Sequence, residues 1–177
     1  MMWAVVILAG IVGGLFVVVA LQPGDFKIAR GATIKAAPAD VFPHINNFHN
    51  WDAWSPWAKL DPDMKTTFEG PEAGTGAKYS WNGNNKVGAG KMAILESREP
   101  RLIVIQLDFL RPMQATNTTE FLFEPESGGT HVHWEMTGTN NFMGKAFSMV
   151  MNMDKLVGND FEKGLAQLKA VVEMKSA

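Results

Sequence analysis

The sequence predicts an α+β domain, a seven-stranded antiparallel sheet curled around one long C-terminal helix, with a transmembrane helix in front of it. Three observations carry that expectation. No charged side chain occurs between Met1 and Leu21. Six strand-like segments follow one another from Met64, with short connections between them. A final stretch, Phe142 to Met174, repeats its apolar residues at three- and four-residue steps.

Bulk composition bounds the function. A chain of 177 residues with a net charge of −2 is long enough for one domain with a real core. Its near-neutral balance leaves no electrostatic footprint for nucleic acid. It contains no cysteine, which excludes disulfides, thiolate metal sites and cysteine nucleophiles. A cysteine-free chain is compatible with either redox compartment.

The opening run contains "WAVVILAG" and "LFVVVAL" and is long enough to cross a bilayer as a helix, for which about 20 residues are needed. A cleaved signal peptide would want a basic n-region, absent here, although "VVA" ending at Ala20 offers a cleavage site. The uncleaved anchor is the favoured reading. Lys27, Arg30 and Lys35 follow the span and no Lys or Arg precedes it, so a single pass through the inner membrane should leave the domain in the cytoplasm. Gly10 and Gly14 have G-x-x-x-G spacing, but glycine as ordinary membrane-helix filler is the simpler reading. Residues 1–22 are thus expected to be anchor, 23–27 linker and 28–177 the folded domain.

"QPGD" should end the first helix. "FKIARGATIKA" has the β-branched residues of a strand. "APADVFPHINNF" reads as a helix capped by Asp40, with Pro43 in its first turn. Val41, Phe42, Ile45 and Phe48 would form its apolar face. Then come "MKTTFEG", "AKYSWNG", "GKMAILES", "RLIVIQLDFL", "MQATNTTEFLFEP" and "THVHWEMTG". Short Gly-, Pro- and Asn-rich connections argue an antiparallel meander. Alternation places Ile103, Ile105, Leu107 and Phe109 on one face, Val132, Trp134 and Met136 on another, and Phe121 and Phe123 in phase with Asn117 and Thr119. In the last helix, Gly158 and Gly164 each lower helix propensity by about 1 kcal/mol against alanine. A kink or a close approach to the sheet would account for them. A sheet of this size must curl around the single helix, which tends to leave a cavity between them.

The stretches "IKAAPADVFPHINNFHNWDAWSPW", "GTGAKYSWNGNNKVGAGKMAILESREP", "LDFLRPMQATNTTEFLFEP", "GTHVHWEMTG" and "MNMDKLVGNDFEKGLAQLK" resemble the helix-grip fold of the START-like, or SRPBCC, superfamily. More narrowly, they are similar to the membrane-anchored bacterial branch of the polyketide cyclase/dehydrase and lipid-transport-like family. The resemblance covers nearly everything after residue 27. It implies a cavity for an apolar or amphipathic small molecule, and no particular reaction. It also implies that "WDAWSPW" forms a second short helix, kinked at Pro56, beneath the end of the long helix. Trp51, Trp54 and Trp57 would then share a face, either in the core or at a cavity rim. Trp57, nearest the next strand, is the one expected at the cavity.

Few constellations suggest chemistry. His131, His133 and Glu135 lie on one strand face in a spacing that can ligate metal, but the opposite face is the apolar one, so they should point to solvent. Asp108 alternates with apolar neighbours and should face outward too. Glu96 shares parity with Met92 and Ile94 and is a candidate inward carboxylate. Asn117 has inward parity, and a buried amide needs partners in the protein or on a ligand; "NTT" there is also a glycosylation sequon by pattern. Met143, Met149, Met151 and Met153 suit an adaptable binding surface or a mixture of core and solvent. "GTGAK" and "GAGK" lack phosphate-loop spacing. No catalytic residue, metal or cofactor is assigned.

The reading is therefore a membrane-tethered binding protein for a hydrophobic or lipid-like molecule. The expected cavity residues are Trp57, Tyr79, Trp81, Met92, Ile94, Leu107, Phe109, Asn117, Trp134, Phe147 and Met151. The alternatives are a cyclase- or dehydratase-like enzyme on an aromatic or polyketide-type substrate, which needs a convergent polar set, and a ligand-free interaction module, which needs a filled core.

Overall fold

The computed structural model describes residues 2–175, with side chains from Gly10 to Met174. Met1 of the expected anchor and Ser176–Ala177 of the expected domain lie outside the described residues. Helix α1 runs Met2–Leu21 over 20 residues, none of them charged. Among the described residues, no helix is long and apolar enough to cross a membrane; the side chains of residues 2–9 are not among them.

Seven strands follow. They are β1 (Asp25–Ile34), β2 (Lys65–Glu69), β3 (Lys78–Asn82), β4 (Ala89–Arg98), β5 (Leu102–Arg111), β6 (Ala115–Glu126) and β7 (Gly129–Thr139). They form one sheet in the order β1-β7-β6-β5-β4-β3-β2. Each pairing is antiparallel, as the short connections imply. Only β1 reaches a strand distant in sequence, β7.

Between β1 and β2 the single helix expected from "APADVFPHINNF" is two single turns, α2 (Pro38–Val41) and α3 (Pro43–Asn46). Pro43 has no N–H to continue α2, so the ladder restarts at it. The N-cap is Ala37, and Asp40 sits inside the first turn. The apolar face nevertheless forms, with Val41, Phe42, Ile45 and Phe48 all buried. A 3₁₀ helix, Phe48–Ala53, ends at Trp54, two residues ahead of Pro56, so no kinked second helix exists. Trp51 and Trp54 are buried, and their indole N–H groups donate to Ile45 O and His44 O, each at 2.9 Å.

The expected long helix is also divided, into α4 (Phe142–Val150) and α5 (Met153–Lys175). Met151 is extended (φ −115°, ψ 129°). Asn141 accepts from Gly144 N, and Asn152 from Lys155 N, both at 2.9 Å, so each helix starts with an asparagine cap. The break lies at these caps rather than at the glycines. Gly158 and Gly164 instead mark close approaches. A Cβ at Gly158 would run into the Arg30 guanidinium, and one at Gly164 would lie 2.9 Å from Trp134 Cζ3. Phe161, Leu165, Leu168 and Val172 of α5 are buried, with the Phe161 and Trp134 rings stacked 3.9 Å apart. Their burial fills the space between the C-terminal half of α5 and the sheet.

Candidate functional site

Around the N-terminal half of α5 the space between helix and sheet stays open, as a cavity of about 530 Å³. On β5 the same face passes from filled to open along one strand. Ile103 and Ile105 are fully buried, whereas Leu107 and Phe109 are half-buried and border the cavity. Tyr79 and Trp81 of β3, Met92 of β4, Asn117 of β6 and Trp134 of β7 complete the sheet side, and Trp57 closes the side toward the 3₁₀ helix. The helix side is Met153, Leu156, Val157 and Phe161.

Eight of the eleven expected residues thus meet at one cavity, and three do not. Ile94 is core, 1% exposed. Its backbone bonds Gly76 and Ala77 at the sealed end of the sheet. Phe147 and Met151 stand 42% and 40% exposed, because the break before Asn152 turns α4 away from the sheet. The helix-side lining went unassigned in the sequence, although Met153, Val157 and Phe161 recur at i, i+4, i+8, which was the available signal.

Two glycines make room for wall side chains. A Cβ at Gly90 would strike the Trp81 ring, and one at Gly138 would strike Asn117 Oδ1. A strand glycine where another group approaches closely is an expected use of that residue. The indoles of Trp81 and Trp134 present apolar faces because their N–H groups are satisfied within the protein. Trp81 Nε1 donates to Val87 O at 3.0 Å, and Trp134 Nε1 to Thr119 Oγ1 at 3.1 Å.

Besides Asn117 and Tyr79, the charged residues Asp52, Lys86, Arg111 and Asp160 also border the cavity. Asn117 is 7% exposed, and its Nδ2 donates to Met136 Sδ at 3.8 Å, a weak acceptor. The Tyr79 phenol is pushed up to about 12, first by burial and then by the negative charge of Asp52, so at neutral pH it is an uncharged O–H donor.

The carboxylates singled out in the sequence lie elsewhere. The register shifts between Ile94 and Glu96, which breaks the parity that would have turned Glu96 inward; it pairs with Arg98 instead. Asp108 faces outward, where Thr116 and Gln106 donate to it at 2.7 and 2.9 Å. Desolvation pushes its pKa up, but these bonds and the Lys91 charge outweigh it and hold the carboxyl low. His131 and His133 lie half-exposed on the outer face beside Glu126 and Glu135. No cluster able to hold a metal ion occurs among the described residues.

The family model described as polyketide cyclase / dehydrase and lipid transport matches residues 25–173. No curated protein matches the sequence. Among solved structures, a Staphylococcus aureus protein of unknown function is similar with a TM-score of 0.64 at 13% identity, over 88% of this chain and 98% of that one. Ara h 8.0201 gives a TM-score of 0.60 at 14% identity, over 85% and 99%. The di-domain ARO/CYC StfQ from the steffimycin biosynthetic pathway gives 0.62 at 12%, over 86% of this chain and 52% of that one. At these identities the likeness is one of fold.

Proposed function

The chain belongs to the polyketide cyclase / dehydrase and lipid transport family, and from that premise we propose that it is a membrane-tethered binding protein for an apolar or amphipathic small molecule. The cavity carries the proposal. Its volume of about 530 Å³ is that of a small-molecule site. Its walls are mostly aromatic and aliphatic, and Asn117 and Tyr79 of the sheet, with Asp52, Asp160, Lys86 and Arg111 at the border, are polar points that would orient an amphipathic ligand. An open cavity also argues against a ligand-free interaction module. The tether would be α1, whose 20 residues at about 1.5 Å each reach roughly 30 Å, a hydrocarbon thickness. The basic residues after it favour a cytoplasmic domain at the inner membrane.

Leu107→Trp tests the cavity. It should fill space, abolish most uptake of an apolar naphthalene-type fluorescent dye, and cost only about 1–3 kcal/mol of stability. If the parent takes up no dye and the variant unfolds outright, the region was solid and the binding reading is lost. A cyclase-like reading is favoured by one observation, the Tyr79 phenol kept protonated beside the cavity as a hydrogen-bond donor. It requires that Tyr79→Phe abolish turnover of a bound polyketide-type compound while leaving its binding in place.

A further inference from the structure

The end of α1 and the mouth of the cavity lie at the same end of the sheet. We infer that α4 rests in the membrane surface there and that the ligand enters the cavity directly from the bilayer. This rests on the reading of α1 as an anchor.

The registers fix the geometry. Asp25 pairs with Thr139, Ala115 with Phe109, and Asn82 with Ala89. The β3–β4, β5–β6 and β7–α4 connections therefore all close at the end where β1 begins. Gly88, Met113, Asn140 and Gly144 from those connections and α4 border the cavity, so this end is its mouth. Residues 22–24 alone separate α1 from β1.

Helix α4 is fastened to α1. The Phe16 and Phe142 rings are 4.5 Å apart. Lys145 Nζ donates to Ala20 O at 3.2 Å, an unpaired carbonyl of the last turn of α1. Asn140 N donates to Gly24 O at 2.8 Å. A helix in contact with the end of a membrane span lies within about one helix diameter, roughly 10 Å, of the bilayer.

The surface of α4 suits that position. Between Asn140 and Met153 the only charge is Lys145. No residue of α4 is buried, and Met143 and Val150 are 62% and 84% exposed. Met113, on the neighbouring β5–β6 turn, is 44% exposed. Exposed apolar residues grouped beside a pocket mouth are costly in water, but an interfacial helix buries such residues about 5–10 Å into the acyl boundary, and Lys86 and Arg111, which also border the cavity, suit the headgroups. A lysine there can keep its ammonium at the headgroups. A ligand already dissolved in the bilayer would then pass under α4 into the cavity without crossing water.

The natural absence of cysteine permits a direct test in the full-length chain. The variants Met143→Cys, Val150→Cys, Val12→Cys and Glu124→Cys are bimane-labelled and reconstituted in phosphatidylcholine vesicles carrying doxyl lipid. Quenching at 143, 150 and 12 several-fold above that at 124, which lies toward the far end of the sheet, is the expected result. Quenching at 12 but not at 143 or 150 overturns the docking of α4 and leaves the anchor standing. No quenching at 12 removes the anchor, and the proposal with it. The entry route is read separately, in a Trp3→Phe background that removes the tryptophan of the span, by energy transfer from wall tryptophans to a pyrene fatty acid supplied in the vesicles. The double variant Met143→Asp, Val150→Asp should slow its uptake several-fold with an unchanged end point. An unchanged rate overturns entry from the bilayer.

Discussion

Tyr79 is the only tyrosine in the chain, so its ionisation can be followed by tyrosinate absorbance without assignment. We predict a midpoint at about 12 in the native protein, against roughly 10 in the unfolded chain. The sign follows from which state holds the proton more tightly. Below pH ~10 both states are protonated and the contribution of Tyr79 is fully present. Above it the unfolded state loses its proton first, so stability falls with rising pH until the native phenol ionises. Urea midpoints measured across that window should decline, and Tyr79→Phe should flatten the decline; an equal slope in both proteins would show that the phenol is not buried. Gly164 offers a second check. Alanine there gains about 1 kcal/mol of helix propensity, but its Cβ would sit 2.9 Å from Trp134 Cζ3 and 3.2 Å from Pro56 Cδ. Trp134 is held in place by its stack on Phe161 and its Nε1 bond to Thr119, so an overpacking cost of about 1–3 kcal/mol should dominate. Gly164→Ala should therefore lower Tm. Residues of this kind divide sharply in how well the sequence reveals them. Leu107, Phe109 and Trp134 are legible because β5 and β7 alternate without interruption there, whereas the register shift before Glu96 breaks the pattern in β4. Ile94 has the same parity as Met92, yet it is core, since parity reports a face and not how far along that face the cavity extends.

The division of the C-terminal helix has a cause that apolar periodicity cannot register. Val150, Met151 and Met153 carry the hydrophobic pattern straight across the break, and the one local sign is Asn152, a capping residue type. What holds α5 in place after the break is a clamp from β1. Arg30 Nε meets Glu162 Oε1 at 2.8 Å, and its Nη2 meets Asp154 Oδ2 at 3.1 Å and Asp154 O at 3.0 Å. Gly158 leaves space for the guanidinium to lie across the helix. The hydrogen bond from Arg30, chiefly, holds the Asp154 carboxyl below its ordinary range. The Asp154 arm of the clamp is thus in place at neutral pH and is lost as pH falls through that depressed value. Arg30→Ala should raise amide exchange in the first two turns of α5 and leave the turns around Leu165 and Leu168 protected. Uniform exchange along α5 would mean that packing alone fixes the helix. The same substitution should loosen the helix side of the cavity, because Met153 and Val157 sit on those turns.

At the scale of the whole molecule, six consecutive strands paired with their chain neighbours, so their order was readable from connection lengths alone. The return of β1 to β7 was not, since no local pattern states which strand a distant segment will join. With α1 as the proposed anchor, the basic residues after it would play two roles at different times. In the folded domain Lys27 meets Glu135 at 2.6 Å and Arg30 is held by α5. During insertion, before the domain folds, both would be free to bias the topology. A C-terminal reporter should accordingly be active on the cytoplasmic side; activity confined to the periplasm would reverse the orientation. If α1 anchors the chain as proposed, the far edge of the sheet acquires a significance it would lack in a freely diffusing protein. Copies anchored in that way would share a plane, where their effective concentration would be high, and an open strand edge invites edge-to-edge growth. Strand β2 has only five residues, Lys65–Glu69, with a lysine at one end and a glutamate at the other. Its one aromatic, Phe68, is covered by the His49 ring at 3.8 Å. So short and charged an edge gives a neighbour little to pair with, which would let an anchored protein be crowded in two dimensions without polymerising.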